Sequence, residues 1–302
     1  MLAGQKEAYR RFLLPAVIAK IKRLDLKARL VCEGFLTGLH RSPFKGFSVE
    51  FSEYRPYIPG DELKRVDWKV FSRTDRFYVR EYEAETNLRA YILLDASGSM
   101  SYSSQGISKF EYASYLAASL VYLLLKQRDS VGLVTFTNRI ENFIPPIQSA
   151  SHLNNLLRVI DKTKPEGETN LSETFYQLAP RLKRRGLIII LSDLFDDKER
   201  VIHSLRLFRY KKHEVLVFQI LDKNEKEFSF SQPLVFKDLE TGKEITLDPR
   251  QLKREYQRLL ERFLLDFKRR LQEAYIDYNC ITTDMPFDQA LFAYLEKRSR
   301  LF

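Results

Sequence analysis

Three oxygen-bearing side chains, Asp95, Ser97 and Ser99, lie within five consecutive residues directly after a short apolar run. One carboxylate and two hydroxyls this close together can bind a hard divalent cation or accept hydrogen bonds in a turn. The preceding run, residues 90–94, has the length and composition of a buried strand. Ligand sites of parallel α/β sheets lie at the carboxyl ends of such strands, so these residues are candidates for a site.

A site at this edge of the sheet should also recruit residues from other strand ends and from the loops near them. Thr169 lies in a loop just before a predicted helix, and Asp193 follows the apolar run 187–191. We therefore expect Asp95, Ser97, Ser99, Thr169 and Asp193 to meet at one edge of the sheet. Two carboxylates and three hydroxyls suit Mg²⁺, which takes few direct carboxylates and keeps several waters; Mn²⁺ and Ca²⁺ are alternatives.

The elements that must position these residues follow from the apolar periodicity after residue 88. Predicted strands alternate with helices, which implies right-handed crossovers and an α/β, doubly wound, mostly parallel sheet. The strands are predicted at 90–94, 131–135, 139–144, 187–191, 215–221 and 278–282. The helices are predicted at 110–127, 151–161 (capped by Ser151), 171–184, 198–210, 249–274 and 287–298. Residues 222–248 interrupt this alternation as an inserted β-hairpin.

The N-terminal part has a different pattern. Residues 17–37 have helical apolar spacing, and residues 40–85 are rich in arginine and aromatic residues and contain short alternating segments at 47–51, 66–70 and 77–81. We predict an N-terminal helix and small β-rich subdomain at 1–87, followed by the α/β domain at 88–302.

Composition limits the classes of function. The net charge is +10, but basic and acidic residues are mixed, which indicates a basic surface more than a nucleic-acid footprint. The two cysteines, Cys32 and Cys280, have no metal-binding spacing and suit reduced thiols in a cytoplasmic protein. No apolar run reaches the roughly 18 residues of a membrane span, and the N-terminus lacks a signal-peptide pattern. We expect a cytoplasmic protein without a membrane span.

The same residues are compatible with other chemistries. In a purely structural alternative, Asp95 and the two serines cap a helix or shape a turn and bind no metal. A serine hydrolase needs glycine where Ala96 stands, and an aspartyl phosphatase would want a second aspartate near Ser97. A metal-dependent, phosphatase-like hydrolase is the alternative function, with nucleic-acid binding by the segment 53–82 favoured less because acidic residues interleave there.

The segment Asp95-Ala96-Ser97-Gly98-Ser99, with Thr169 and Asp193 downstream, resembles the metal-ion-dependent adhesion site of von Willebrand factor type A domains. The resemblance implies that Ser97, Ser99 and Thr169 are metal ligands, with Asp95 and Asp193 binding directly or through water. It also implies that the metal takes a carboxylate from a protein partner. Glu168 and Leu194 depart from the pattern, since glycine is frequent at both positions.

Upstream motifs extend the resemblance to a bacterial family called domain of unknown function 58. The matching segments are Glu33-Gly34-Phe35, Gly38-Leu39-His40, Phe47-Ser48-Val49-Glu50-Phe51, Tyr57-Ile58-Pro59-Gly60-Asp61, Asp67-Trp68-Lys69 and Arg80-Glu81-Tyr82-Glu83. Members often accompany MoxR-type AAA+ ATPases. The resemblance thus implies a non-enzymatic, metal-dependent interaction module that partners such an ATPase, or its client, in chaperone-like complex assembly.

Overall fold

A computed structural model describes residues 14–39, 54–57, 71–72, 77–80, 88–104, 106–230, 234–237, 244–247 and 249–299. The ten strands are β1 (Tyr54–Pro56), β2 (Tyr78–Arg80), β3 (Arg89–Asp95), β4 (Ser130–Phe136), β5 (Ile140–Ile147), β6 (Leu187–Ser192), β7 (Glu214–Leu221), β8 (Leu234–Lys237), β9 (Glu244–Leu247) and β10 (Asp277–Thr282). The nine helices are α1 (Pro15–Ala19), α2 (Leu24–Leu39), α3 (Lys109–Lys126), α4 (Ala150–Lys162), α5 (Leu171–Leu178), α6 (Lys198–Tyr210), α7 (Lys223–Glu227), α8 (Pro249–Glu273) and α9 (Phe287–Ser299). All of these counts refer to the described ranges.

Six strands form the central sheet in the order β10-β7-β6-β3-β4-β5. Five of them are parallel, and only the edge strand β5 runs antiparallel to its neighbour β4. The predicted fold class, an α/β doubly wound and mostly parallel sheet, is confirmed.

Alternation along β3 explains why helices cover both faces of the sheet. Ala90, Ile92 and Leu94 point into a core shared with α2, α3, α4 and α9. Tyr91 and Leu93 point into a second core shared with α5, α6 and α8. A strand buried on both faces needs a continuous apolar run, which is the pattern that predicted it.

The direction of winding changes between β3 and β6. From β3 the chain moves to β4 and β5 on one side, then crosses to β6, β7 and finally β10 on the other. The crevice at such a reversal, beyond the carboxyl ends of the two central strands, is where open α/β sheets bind ligands. Asp95 ends β3 and Asp193 follows β6, so both carboxylates lie at this crevice.

Three predicted helices are corrected. The helix at 17–37 is two helices, α1 and α2, and Asp25 in the first turn of α2 favours a new start there. The helix at 171–184 ends at Leu178, because Pro180 cannot donate the next backbone hydrogen bond. Ser151 does not cap α4, since the N-cap residue is Ser149, and the two hydroxyls lie 2.7 Å apart.

The N-terminal part is described for α1, α2 and the antiparallel pair β1 and β2. Ala28, Val31 and Phe35 of α2 are buried in the same core as α3. The alternating segments predicted near 47–51 and 66–70 lie outside the described residues. A boundary at residue 87 stays a prediction.

The inserted hairpin at 222–248 contains β8 and β9, which pair antiparallel with Leu234 opposite Leu247. The first part of this segment forms a short helix, α7, which was not predicted. None of the described helices is both long enough and apolar enough to cross a membrane.

Candidate metal centre

Asp95 is completely buried at the end of β3, and both of its carboxylate oxygens accept hydrogen bonds. The backbone N–H of Ser97 donates to Oδ1 over 2.9 Å, and the Ser192 hydroxyl donates to Oδ2 over 2.5 Å. Burial and the nearby Asp193 carboxylate raise the pKa of Asp95 well above its usual range, although these two donors partly offset the rise. A nearby cation would therefore relieve an unfavourable buried charge.

The two serine hydroxyls lie side by side in the turn that follows. Ser97 Oγ and Ser99 Oγ are 3.1 Å apart, and Ser99 is the more exposed of the two residues. A 3₁₀ turn, Gly98–Ser101, holds them in place. Adjacent ligands of an octahedral Mg²⁺ with bonds of about 2.1 Å lie roughly 3.0 Å apart, so this pair of hydroxyls fits such an ion.

The loop that carries Thr169 is tied to the same turn through the backbone. Gly98 N–H donates to the Gly167 carbonyl, and Glu166 N–H donates to the Ala96 carbonyl, each over 2.9 Å. Gly167 has a φ of +82°, a conformation that favours glycine. Thr169 is half-buried between this anchor and the start of α5. The structure thus brings the predicted threonine loop to the turn of Asp95.

Asp193 is also completely buried, but its partner is a cation. Lys109 Nζ lies 2.8 Å from Asp193 Oδ2 and 2.8 Å from Glu225 Oε1. The Lys109 side chain is only 1% exposed. Burial alone would lower the pKa of Lys109, but the two carboxylates outweigh it and raise that pKa, so the ammonium stays charged.

The backbone after Asp193 adopts an uncommon conformation. Leu194 has a φ of +58°, in the left-handed region that favours glycine, and its side chain is buried. This conformation explains why glycine suits this position in the motif that the sequence resembles. The turn allows Phe195 N–H to donate to Asp193 Oδ1 over 3.3 Å, and Gln219 Nε2 donates to the Asp193 carbonyl over 2.7 Å.

Glu225 connects the ion pair of Lys109 and Asp193 to the inserted segment 222–248. It lies on α7, where it accepts the backbone N–H of Asp222 over 2.8 Å in a capping box. Asp222 in turn accepts the hydroxyl and the N–H of Ser104, from the loop before α3. Tyr256 of α8 donates its hydroxyl to the Glu225 carbonyl over 2.8 Å.

Sequence reasoning predicted a site of Asp95, Ser97, Ser99, Thr169 and Asp193, and it did not include Lys109 and Glu225, which the structure places beside Asp193. One local signal pointed to Lys109. It is the first residue of α3, directly after the capping Ser108, where a cation opposes the helix dipole. A lysine at that position needs an anionic partner, and the structure supplies two.

Three of the five candidate ligands of the metal site are hydroxyl groups. Among the described residues, no group of three or more His, Cys, Asp or Glu side chains is arranged to hold a metal ion. Beside the turn lies a cleft of about 670 Å³, bordered by Ala96 and Gly167. Its charged lining residues are Arg139, Glu141, Lys162, Lys164 and Glu166.

Comparison with known proteins gives one family. The family model described as "Protein of unknown function DUF58" matches residues 53–262. An uncharacterized protein of Mycobacterium tuberculosis (strain H37Rv) is 28% identical over 243 residues, which cover 78% of this chain and 75% of that protein. The uncharacterized protein YeaD of Bacillus subtilis is 26% identical over 104 residues, covering 34% of this chain and 24% of YeaD.

Two solved structures resemble the chain distantly. The conserved hypothetical protein BatB of Bacteroides thetaiotaomicron has 14% identity and a TM-score of 0.49, covering 70% of this chain and 99% of that one. The VWA domain of SpRpn10 has 10% identity and a TM-score of 0.42, covering 68% of this chain and 94% of that one. With TM-scores this low, the fold class rests on the strand order and not on these neighbours.

Proposed function

The chain belongs to the DUF58 family, and from that premise we propose that it is a non-enzymatic protein-interaction module with a divalent-cation site between β3 and β6. The proposed ion is Mg²⁺, with Mn²⁺ and Ca²⁺ as alternatives. One observation carries the proposal: the hydroxyls of Ser97 and Ser99 lie 3.1 Å apart, next to the buried Asp95, at the reversal point of the sheet.

Each residue has a role in this proposal. Ser97, Ser99 and Thr169 would hold the ion directly. Both Asp95 oxygens already accept hydrogen bonds, which suits binding through water. Asp193 would act directly or through water as well. An ion held mostly by neutral oxygens stays electrophilic and can take a carboxylate from an acidic protein partner.

The surroundings of the site favour an acidic partner. Arg139, Lys162 and Lys164 border the cleft beside the turn, and two acidic residues share it. A net positive rim speeds the approach of a carboxylate-bearing surface. Following the family resemblance, we propose that the partner is a MoxR-type AAA+ ATPase or the client that it remodels. Steered association predicts that the association rate falls as salt is raised.

The metal site is tested by thermal unfolding with EDTA and with Mg²⁺. We expect Mg²⁺ to raise the melting temperature of the wild type, and not that of Asp95→Ala or of the double variant Ser97→Ala/Ser99→Ala. Ser204→Ala is the matched control, because its hydroxyl donates to the Val201 carbonyl over 2.8 Å within α6 and takes no part in the proposed site. Equal Mg²⁺ stabilisation in the wild type and the site variants would contradict the assignment.

The interaction is tested separately, by capture of the co-expressed ATPase on the immobilised wild type and on Asp95→Ala, with EDTA as a third condition. We expect capture only by the wild type in the presence of Mg²⁺. Phosphatase and esterase assays with and without EDTA distinguish the alternative hydrolase function. Turnover that disappears in Asp95→Ala would replace the interaction proposal with the enzymatic one.

A further inference from the structure

The charged group that contacts Asp193 Oδ2 is a lysine ammonium from another part of the chain. Lys109 and Asp193 are 84 residues apart in sequence, and their charged atoms lie 2.8 Å apart in a fully buried setting. The second carboxylate on the ammonium, Glu225, keeps 20% of its side chain exposed. The aromatic ring of Phe195 covers the ammonium, with its centroid 5.2 Å from Nζ.

We propose that Lys109 is a built-in competitor that sets the affinity of the site for divalent cations and links occupancy of the site to α7. This inference rests on the proposed function, since it concerns the same cation site. Lys109 would not be a metal ligand. It acts on the ion through Asp193, so it is a positioning residue.

The competition follows from the charges. In the described structure one ammonium neutralises Asp193 and shares its charge with Glu225. A divalent cation that draws on Asp193, directly or through its waters, must share that carboxylate with the ammonium or displace it. Two cations in one buried site repel strongly because the surroundings screen them poorly. The ammonium therefore weakens metal binding compared with a site in which Asp193 is free.

The link to α7 follows from the second contact of the ammonium. If Lys109 leaves Asp193, its remaining partner is Glu225, whose carboxylate also holds the backbone N–H of Asp222 at the start of α7. The same helix contacts α8 through the bond from Tyr256 to the Glu225 carbonyl. Filling the site should thus change the hydrogen bonding of residues 222–227, which precede β8 and β9 in the inserted segment.

A charge-balanced double variant separates direct competition by Lys109 from the general electrostatic effect of its positive charge. Lys109→Met/Glu225→Gln removes one positive and one negative charge, so the net charge near the site is unchanged while Asp193 loses its competitor. We expect titration calorimetry to show Mg²⁺ binding at least about tenfold tighter than in the wild type, a change of about 1.4 kcal/mol. Binding within about twofold of the wild type would overturn the proposal.

The matched control is Lys198→Met/Asp266→Asn, which removes another charge-balanced pair with a 2.7 Å contact that does not involve Asp193. We expect its Mg²⁺ affinity to equal that of the wild type, and a comparable gain in this control would overturn the proposal. If neither the wild type nor Lys109→Met/Glu225→Gln binds Mg²⁺, the proposed metal site and the competition both fail. Equal binding by the two leaves the metal site intact and removes only the competition.

Hydrogen exchange gives a measurement that would not depend on Lys109 if its role were purely structural. In the wild type, Mg²⁺ should change the exchange of residues 222–227, and in Lys109→Met/Glu225→Gln it should not. The double variant also guards against failure of Lys109→Met to fold, because it leaves one fewer unpaired carboxylate. A Mg²⁺ effect on these residues that is identical in both proteins would overturn the link to α7.

Discussion

Asp95 and Asp193 are both completely buried carboxylates at the carboxyl ends of neighbouring strands, but they are stabilised in opposite ways. Asp95 accepts hydrogen bonds from neutral donors, a backbone N–H and a hydroxyl. Asp193 carries the ammonium of Lys109. The first arrangement leaves a negative charge that a metal could use, and the second supplies its own cation. In the proposed cation site, the Asp95 half would therefore favour a metal ion and the Asp193 half would resist it.

The largest expected effect is on the Asp193 half. Lys109→Met leaves Asp193 and Glu225 without their cation, and breaking a buried ion pair from one side costs about 3–5 kcal/mol. We expect denaturant unfolding in EDTA to show a loss of that size. Lys198→Met, whose pair with Asp266 is partly exposed, should lose no more than about 1 kcal/mol. Similar losses in the two variants would show that the buried pair of Lys109 and Asp193 stabilises the fold no more than a partly exposed ion pair does.

The strained turn after Asp193 gives the next effect. Leu194→Ala loses a buried leucine side chain, which costs about 2–5 kcal/mol, and keeps the unfavourable positive φ. Leu194→Gly loses the same contacts but relieves about 1 kcal/mol of backbone strain. We expect the glycine variant to be the more stable of the two in denaturant unfolding, the reverse of the usual order. If alanine is the more stable, the turn carries no strain.

The Asp95 half should respond in the opposite direction when its charge is removed. Asp95→Asn removes a buried charge of raised pKa while keeping the size of the side chain, so we expect stability in EDTA to rise by about 1–3 kcal/mol. Mg²⁺ should no longer stabilise this variant. A loss of stability in EDTA would show that the Asp95 charge is already well compensated in the metal-free protein.

The stability difference between Asp95→Asn and the wild type should depend on pH in a defined direction. The folded pKa of Asp95 is raised, so the unfolded chain loses this proton first as the pH rises above about 4. Ionisation therefore favours the unfolded state, and the cost of Asp95 grows with pH. We expect the stability advantage of Asp95→Asn in EDTA to be small near pH 4 and to increase toward neutral pH. An advantage that shrinks as the pH rises would contradict the raised pKa.

These contrasts also show why only part of the site was predictable from sequence. Asp95, Ser97 and Ser99 are neighbours in the chain, and Asp193 was added because parallel strands end at one edge. Thr169 was added because it lies in a loop just before a predicted helix. The apolar runs likewise predicted the central sheet, since strands buried on both faces must be apolar throughout. Lys109 is 84 residues from Asp193 and 116 from Glu225, and no periodicity links such distant polar residues. The helix boundaries at Asp25 and Pro180 depend on single residues, which apolar spacing does not detect.

The smallest expected effect concerns Ser192, the residue that joins the two halves. Its hydroxyl donates to Asp95 Oδ2 over 2.5 Å and accepts the backbone N–H of Leu194 over 3.0 Å. Ser192→Ala therefore removes a donor that lowers the pKa of Asp95 and leaves a buried N–H unpaired, at a cost of about 1 kcal/mol in unfolding free energy. We expect Mg²⁺ affinity to fall as well, since Asp95 loses the hydroxyl that orients it, while Ser204→Ala should keep wild-type affinity. If Ser192→Ala binds Mg²⁺ as the wild type does, Asp95 is positioned by the Ser97 N–H alone, and the two halves of the site act independently.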